Sequence, residues 1–218
     1  MMGIKAGAVA LLASWGGSGM ADDARLLEAA ATGDVAAIRS ELAAGTGVDA
    51  RDARGRTALL VATHHDQLAA ARALVEAGAD VNAKDDIQDS PYLYAGAEGR
   101  LAILKLTLAH GADLASTNRY GGTALIPAAE RQSAEVVQVL IEAGVALDHV
   151  NKLGWTALLE AVLLGDGGPE RQAVVRALID AGADVTLADG EGVTPLGHAR
   201  ARGYGDIARM LEAAGARQ

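Results

Sequence analysis

Asp52 to Ala83 reads DARGRTALLVATHHDQLAAARALVEAGADVNA, and variants of this stretch recur along nearly all of the chain that follows it. Thr57, Ser90, Thr123, Thr156 and Thr194 open the same short motif at intervals of 33, 33, 33 and 38 residues. The glycines Gly45, Gly78, Gly111, Gly144, Gly182 and Gly215 fall at intervals of 33, 33, 33, 38 and 33. Two separate markers keep step, and a single insertion in the fourth unit accounts for the only break. A fixed period of this size signals a solenoid, in which each unit packs only on its neighbours.

Within a unit, TALLVA is followed by a polar break, a second apolar run such as AAARALVEA, and then Gly-Ala-Asp-Val-Asn-Ala. This predicts helix, turn, helix, extended turn. Ala, Leu and Arg favour helix, and Gly78 stands where the second helix must end in a residue that tolerates positive φ. Thr57, Thr123, Thr156 and Thr194 occupy N-cap positions, and Pro195 and Pro91 fit the first helical position. One unit cannot stand alone. A buried Leu or Val contributes roughly 1.5–3 kcal/mol, too little to order about thirty residues without neighbours. Aromatic residues make up 3% of the chain and Phe is absent, which suits thin layers of Ala, Leu and Val.

These residues resemble the ankyrin repeat, whose pattern is G-x-TPLH-x-A, then an apolar second helix, then GADVN. The resemblance covers about residues 22–217. Unit five keeps Gly192, Thr194, Pro195 and Leu196, whereas units one, three and four carry Ala58, Ala124 and Ala157 in place of Pro. Leu60, Leu93, Ile126, Leu159 and Gly197 replace the usual His, so apolar packing is expected where the family commonly makes His hydrogen bonds. Unit two departs furthest, with Gln88 in place of Gly and Tyr92 in place of Leu. The resemblance implies an all-α solenoid of helix-turn-helix units with projecting β-turns, which binds partner proteins through its turn tips and the adjoining inner helices.

Residues 1–21 resemble a secretory signal peptide. Lys5 precedes the apolar run Ala6 to Trp15, and small Gly19 and Ala21 stand at −3 and −1 of a cut before Asp22. The run is shorter than the roughly 20 residues that span a bilayer, so no membrane insertion is expected after its removal. A periplasmic or secreted protein follows, with a cytoplasmic location as the alternative. Residues 22–50 read as an N-terminal helical cap, with Asp34 as N-cap of its second helix. Residues 51–218 carry five repeats, the insertion falling at 165–169. Arg200, Arg202, Asp206, Arg209, Glu212 and Arg217 make the last repeat a polar C-terminal cap. The insertion reads as an accommodated loop, with a small recognition loop as the alternative. Its glycines lack the GKS or GKT ending of a phosphate cradle.

Lys plus Arg total 19 against 28 Asp plus Glu, a net charge of −9 that argues against nucleic acid or an anionic membrane as partner. Without Cys there are no disulfides, thiol nucleophiles or thiolate metal sites. None of the five His forms HExxH, and no Ser lies in GxSxG. His64, His65 and Asp66 read as a solvated polar turn in preference to a hydrolytic or metal site. Asp80, Asp113 and Asp184 repeat at the structural period and shape turns. No catalytic residue, metal or cofactor is therefore expected.

Packing dictates least at the turn tips. Three residues before each motif Thr or Ser stand Arg54, Ile87, Tyr120, Leu153 and Glu191; immediately before it stand Arg56, Asp89, Gly122, Trp155 and Val193. Units stacked in register would align these as two rows. Ile87, Tyr120, Leu153 and Trp155 then make an apolar strip, flanked by Arg54 and Arg56 at one end and Glu191 at the other. The candidate partner-binding residues are Arg54, Arg56, Ile87, Asp89, Tyr120, Leu153, Trp155 and Glu191, with His65, Glu98, Glu130 and Arg131 behind them. The competing reading folds Tyr120 and Trp155 back over their neighbouring turns. A non-catalytic monomer that binds another protein is expected, and its resemblance to exported bacterial ankyrin proteins implies an accessory protein. The alternatives are an inhibitor or immunity protein for a secreted or periplasmic enzyme and a cytoplasmic scaffold; a hydrolase is least favoured.

Overall fold

Each apolar run folds as a helix, and the helices pair unit by unit. The computed structural model of the protein describes residues 18–131 and 134–217. Among them are twelve helices and no strand beyond one isolated bridge between Arg51 and Thr57. The N-terminal pair is α1 (Ser18–Thr32) with α2 (Val35–Ala43). The repeats follow as α3 (Ala58–His64) with α4 (Leu68–Glu76), α5 (Pro91–Ala97) with α6 (Leu101–Ala109), and α7 (Leu125–Arg131) with α8 (Ala134–Glu142). The last two pairs are α9 (Ala157–Leu163) with α10 (Pro169–Asp180) and α11 (Pro195–Ala201) with α12 (Gly205–Ala213). The body of the expected leader, residues 1–17, lies outside the described residues; Ser18 to Ala21 form the first turn of α1.

The first helix of each pair packs on the first helix of the next, making an inner row from α1 to α11. The second helices form an outer row in which α2 meets α4, α4 meets α6, α8 meets α10 and α10 meets α12. Inner helices are buried nearly all round, as in Ala58 to Thr63 of α3. Small side chains allow this closeness. A Cβ added to Gly96 in α5 would lie 2.9 Å from Ala124 Cβ beside α7, so only glycine fits there. Leu60, Leu93, Ile126 and Leu159 are buried where the repeat pattern usually has His. In unit five, His198 stands one residue later and its Nε2 bonds Asp189 Oδ2 at 2.6 Å.

The caps follow the sequence with one exception. Asp34, Thr57, Ser90, Thr156 and Thr194 each accept a backbone N–H of the following helix through a side-chain oxygen. Thr123 does not cap; its hydroxyl is buried without a partner, and α7 starts only at Leu125. Pro127 explains the correction. In the other units the carbonyl of the motif Thr or Ser receives the N–H four residues on, as Thr57 does from Val61. The fourth residue after Thr123 is Pro127, which has no N–H and whose ring crowds that carbonyl. The Thr123 carbonyl therefore takes the Ile126 N–H at 3.2 Å, the donor its hydroxyl would have used.

Layers are tied through the extended turns. Asp80, Asp113 and Asp184 each accept the amide two residues on, at 2.8–3.0 Å. Their own amides donate to Asp49, Asn82 and Asp148 of the preceding turn. Unit two forms its turn despite Gln88, which adopts φ 67 where the equivalent Gly121 has φ 74. Tyr92 is buried in the core with its hydroxyl unpartnered, and burial pushes its ionisation far above that of a free phenol.

The insertion is fastened to the next unit. Tyr204 donates its hydroxyl proton to the Gly165 carbonyl at 2.9 Å, Gly168 N–H donates to Asp166 at 2.9 Å, and Pro169 begins α10. A Cβ at Gly167 would meet the Tyr204 ring at 2.5 Å.

Candidate functional site

Five turns carry an Asp or Asn at the same register: Asp52, Asp85, Asn118, Asn151 and Asp189. One side-chain oxygen of each accepts two backbone N–H groups, from the residues two and four positions later. Those donors are the two rows singled out in the sequence, from Arg54 and Arg56 to Glu191 and Val193. Adjacent tips are also joined directly. Asp86 N–H donates to the Arg54 carbonyl at 3.1 Å, and Lys152 N–H donates to the Tyr120 carbonyl at 2.9 Å. Lys84 reaches forward to the carbonyl of Thr117, and Lys152 reaches back to that of Arg119. The tips are thus held by hydrogen bonds within and between turns, although they are loops.

Because Asn151 holds the amides of both Leu153 and Trp155, its side chain positions these two residues of the strip. Asn151→Ala is expected to cost about 2 kcal/mol, from roughly 1 kcal/mol per hydrogen bond lost. Asn151→Asp should stay close to the parent, since Asp fills this role in three other turns. Urea denaturation of both variants checks this. Equal losses for Ala and Asp would rule out the shared acceptor.

A groove of ≈ 430 Å³ runs between these tips and the inner helices. Ile87, Asp89, Tyr120, Leu153 and Trp155 form its tip side. Tyr94, Pro127, Glu130, Arg131 and Glu160 come from the inner helices, with Glu98 and Leu164 just beyond α5 and α9. Ile87, Tyr120 and Leu153 are 52%, 54% and 55% exposed, while Trp155 is half-buried. The Tyr120 ring lies under the Arg119 guanidinium at 5.0 Å, and Arg119 reaches Asp89 at 3.6 Å. Burial raises the Asp89 carboxyl above its ordinary range, against the pull of Arg119.

The charged ends of the expected strip lie elsewhere. Arg56 turns onto Asp52 of its own turn, at 2.7 Å, and lines a second hollow of ≈ 480 Å³ with Met20 and Leu27 of α1 and with His65. Arg54 and Glu191 are exposed and line neither space. His64 and His65 also part company. His64 faces the main groove with its ring 4.0 Å from that of Tyr94, and burial, aided by Arg56, lowers its pKa so that it is neutral near pH 7.

The residues missed in the sequence are Tyr94, Arg119 and Glu160. Arg131 bridges Glu98 at 3.3 Å and Glu130 at 3.2 Å, yet Glu160 on the neighbouring helix is only 7% exposed and its Oε2 has no partner among the described residues. Burial pushes its carboxyl up to about 7, with Glu130 adding and Arg131 opposing. No group of His, Asp and Glu among the described residues is arranged to hold a metal ion. No described helix is long and apolar enough to cross a membrane.

Residues 92–189 match the family model for ankyrin repeats in three copies, and residues 54–86 match the single ankyrin repeat. An ankyrin repeat domain of known structure from Acinetobacter baumannii AYE is 60% identical, with a TM-score of 0.86 over 88% of this chain and 98% of that one. The chain belongs to the ankyrin repeat family. The ankyrin repeat protein EF0377 is similar at 42% identity and a TM-score of 0.83, over 87% of this chain and 97% of that one. The ankyrin repeat domain of Bcl-3, of the IkappaB family, is 28% identical with a TM-score of 0.79, over 88% of this chain and 86% of its own. The ankyrin repeat protein YahD of Escherichia coli K12 is 51% identical over 57 residues; the match takes in 26% of this chain and spans 28% of that relative's length. As an ankyrin array the chain is a protein–protein interaction module, a class that is generally non-catalytic.

Proposed function

We propose that the chain is an exported accessory protein that docks a partner protein, without catalysis, in the groove between its turn tips and inner helices. The observation that carries this is the convergence of Ile87, Tyr120 and Leu153, all more than half exposed, with Trp155 on one groove. Large apolar side chains on a soluble surface mark interaction sites when they are contiguous, and aromatic residues concentrate binding energy. The Asp and Asn bonds hold the tips in place beforehand, so docking orders little backbone and keeps more of its contact energy. Arg54, Arg56 and Glu191 then act beyond the groove, steering the approach.

Partner capture from native cells, run beside a Tyr120→Ala, Trp155→Ala variant that retains its helical circular dichroism, tests the docking role. A partner held by the parent and lost by the variant supports it; one held equally moves the site elsewhere. Whether that partner is supported or restrained is read from its activity with and without the added protein. Export rests on Lys5, the apolar run from Ala6 to Trp15 and the small residues before Asp22. The intact mass of the native protein is expected to begin at Asp22, and a mass that includes residues 1–21 sinks export while leaving docking untouched.

A further inference from the structure

The charge pattern of the groove says what side chain its occupant presents; this inference rests on the docking role above. Four carboxylates and two guanidiniums line the groove, so the acids outnumber their partners. Arg119 is taken by Asp89 and the Tyr120 ring, and Arg131 by Glu98 and Glu130. Glu160 is left over. It is more than nine-tenths buried, it lines the groove, and its Oε2 has no hydrogen bond among the described residues. A buried polar group without a partner is costly, and it is favoured where a ligand completes it. Glu130, whose charge acts on Glu160, is bonded by a nitrogen of Arg131.

We propose that the groove selects a partner segment presenting an arginine, whose guanidinium pairs with Glu160 while its apolar stem lies along Trp155 and Leu164. Arginine suits this place better than lysine. Its planar fork meets a carboxylate with two hydrogen bonds, it sheds water more readily, and it stacks on aromatic faces such as those of Trp155 and Tyr120. A net charge of −9 draws a basic segment towards the groove, whereas an acidic one would meet repulsion.

The test uses the full chain, immobilised, and pools of nine-residue peptides in which the central position is fixed as Arg, Lys, Gln, Leu or Glu and the rest are randomised. The Arg pool is expected to be retained about tenfold more than the Gln, Leu and Glu pools, as one charge-assisted pairing would give. Glu160→Gln should abolish that preference. Glu142→Gln removes the same charge from the outer helix α8 and should leave the preference intact, which separates pairing at the site from general attraction to an acidic protein. Tyr120→Ala, Trp155→Ala should lower retention of every pool. Pools that are held by the parent and lost by the double variant, but without an Arg preference or with one that survives Glu160→Gln, overturn the arginine while the docking role stands. An Arg preference that the double variant retains in full removes the groove as the site and takes both proposals with it. A preference for the Glu or Gln pool would show Glu160 acting as a proton donor to the partner and also overturns the proposal.

Discussion

Glu160→Gln is expected to make the protein more stable than the parent at pH 8.5 and to leave it nearly unchanged at pH 4. The buried carboxyl titrates at about 7 in the folded chain, against 4.5 when free. Below 4.5 both folded and unfolded chains hold the proton, and ionisation adds no penalty. Between 4.5 and 7 the unfolded chain releases its proton while the folded one keeps it, so stability falls as pH rises. Above 7 the penalty is constant, at most about 3 kcal/mol from a shift of this size at 1.36 kcal/mol per unit. Gln keeps the shape and does not ionise. Urea midpoints for both proteins at intervals from pH 4 to 8.5 would show the difference opening across that window, and a difference that does not vary with pH would contradict a buried, uncompensated carboxyl. Asp52 works in the opposite direction. Burial alone would raise it, but the Arg56 guanidinium and the amides of Arg56 and Arg54 hold it below its ordinary value. Its contribution is present above the unfolded pKa and lost as pH falls through the folded one.

The contrast between these two acids shows what the sequence could and could not disclose. Asp52, Asp85, Asn118, Asn151 and Asp189 recur at the repeat period, so their shared role was legible in principle. Asp80, Asp113 and Asp184 of the Gly-Ala-Asp turn recur at the same period, so the period alone does not tell the two turn positions apart. Glu160 left no such trace. It sits within an apolar run, and only the stacking of α7, α9 and α11 shows that its side chain is enclosed at a groove wall and not released to solvent. The layers, helix pairs and most caps followed from period and residue type, because those features are local or nearest-neighbour. Thr123 failed as a cap for a local reason that was also written in the sequence, a proline four residues on. The attachment of the insertion to Tyr204 was not readable, since it joins residues of different units through a loop that breaks the period. Register alone placed Arg54, Arg56 and Glu191 in the same rows as Tyr120, but a row is not a groove. Arg56 has an acid in its own turn, and that nearer partner decides where its charge goes.

Replacing both Tyr120 and Trp155 by Ala is expected to weaken partner binding by at least about 100-fold, because aromatic residues at the centre of an interface commonly cost about 2 kcal/mol or more apiece when truncated. The two substitutions should differ in what they do to the free protein. Tyr120 is more than half exposed, and its ring lies against Arg119, which still has Asp89 to bind. Its loss should therefore change stability by no more than about 0.5 kcal/mol, the ordinary range for surface positions. Trp155 is half-buried beside the cap of α9, and its removal exposes apolar surface at a layer junction, so a loss of about 1–3 kcal/mol is expected. The single variants therefore separate docking from packing. Titration calorimetry with the captured partner, alongside urea denaturation, gives both quantities for each. If Tyr120→Ala binds as the parent does while Trp155→Ala loses binding only in proportion to its folded fraction, the aromatic residues serve the neighbouring turns and not a partner. If Tyr120→Ala binds weakly while remaining fully stable, the ring has no structural duty to explain its place at an exposed tip, and contact with a partner is what remains.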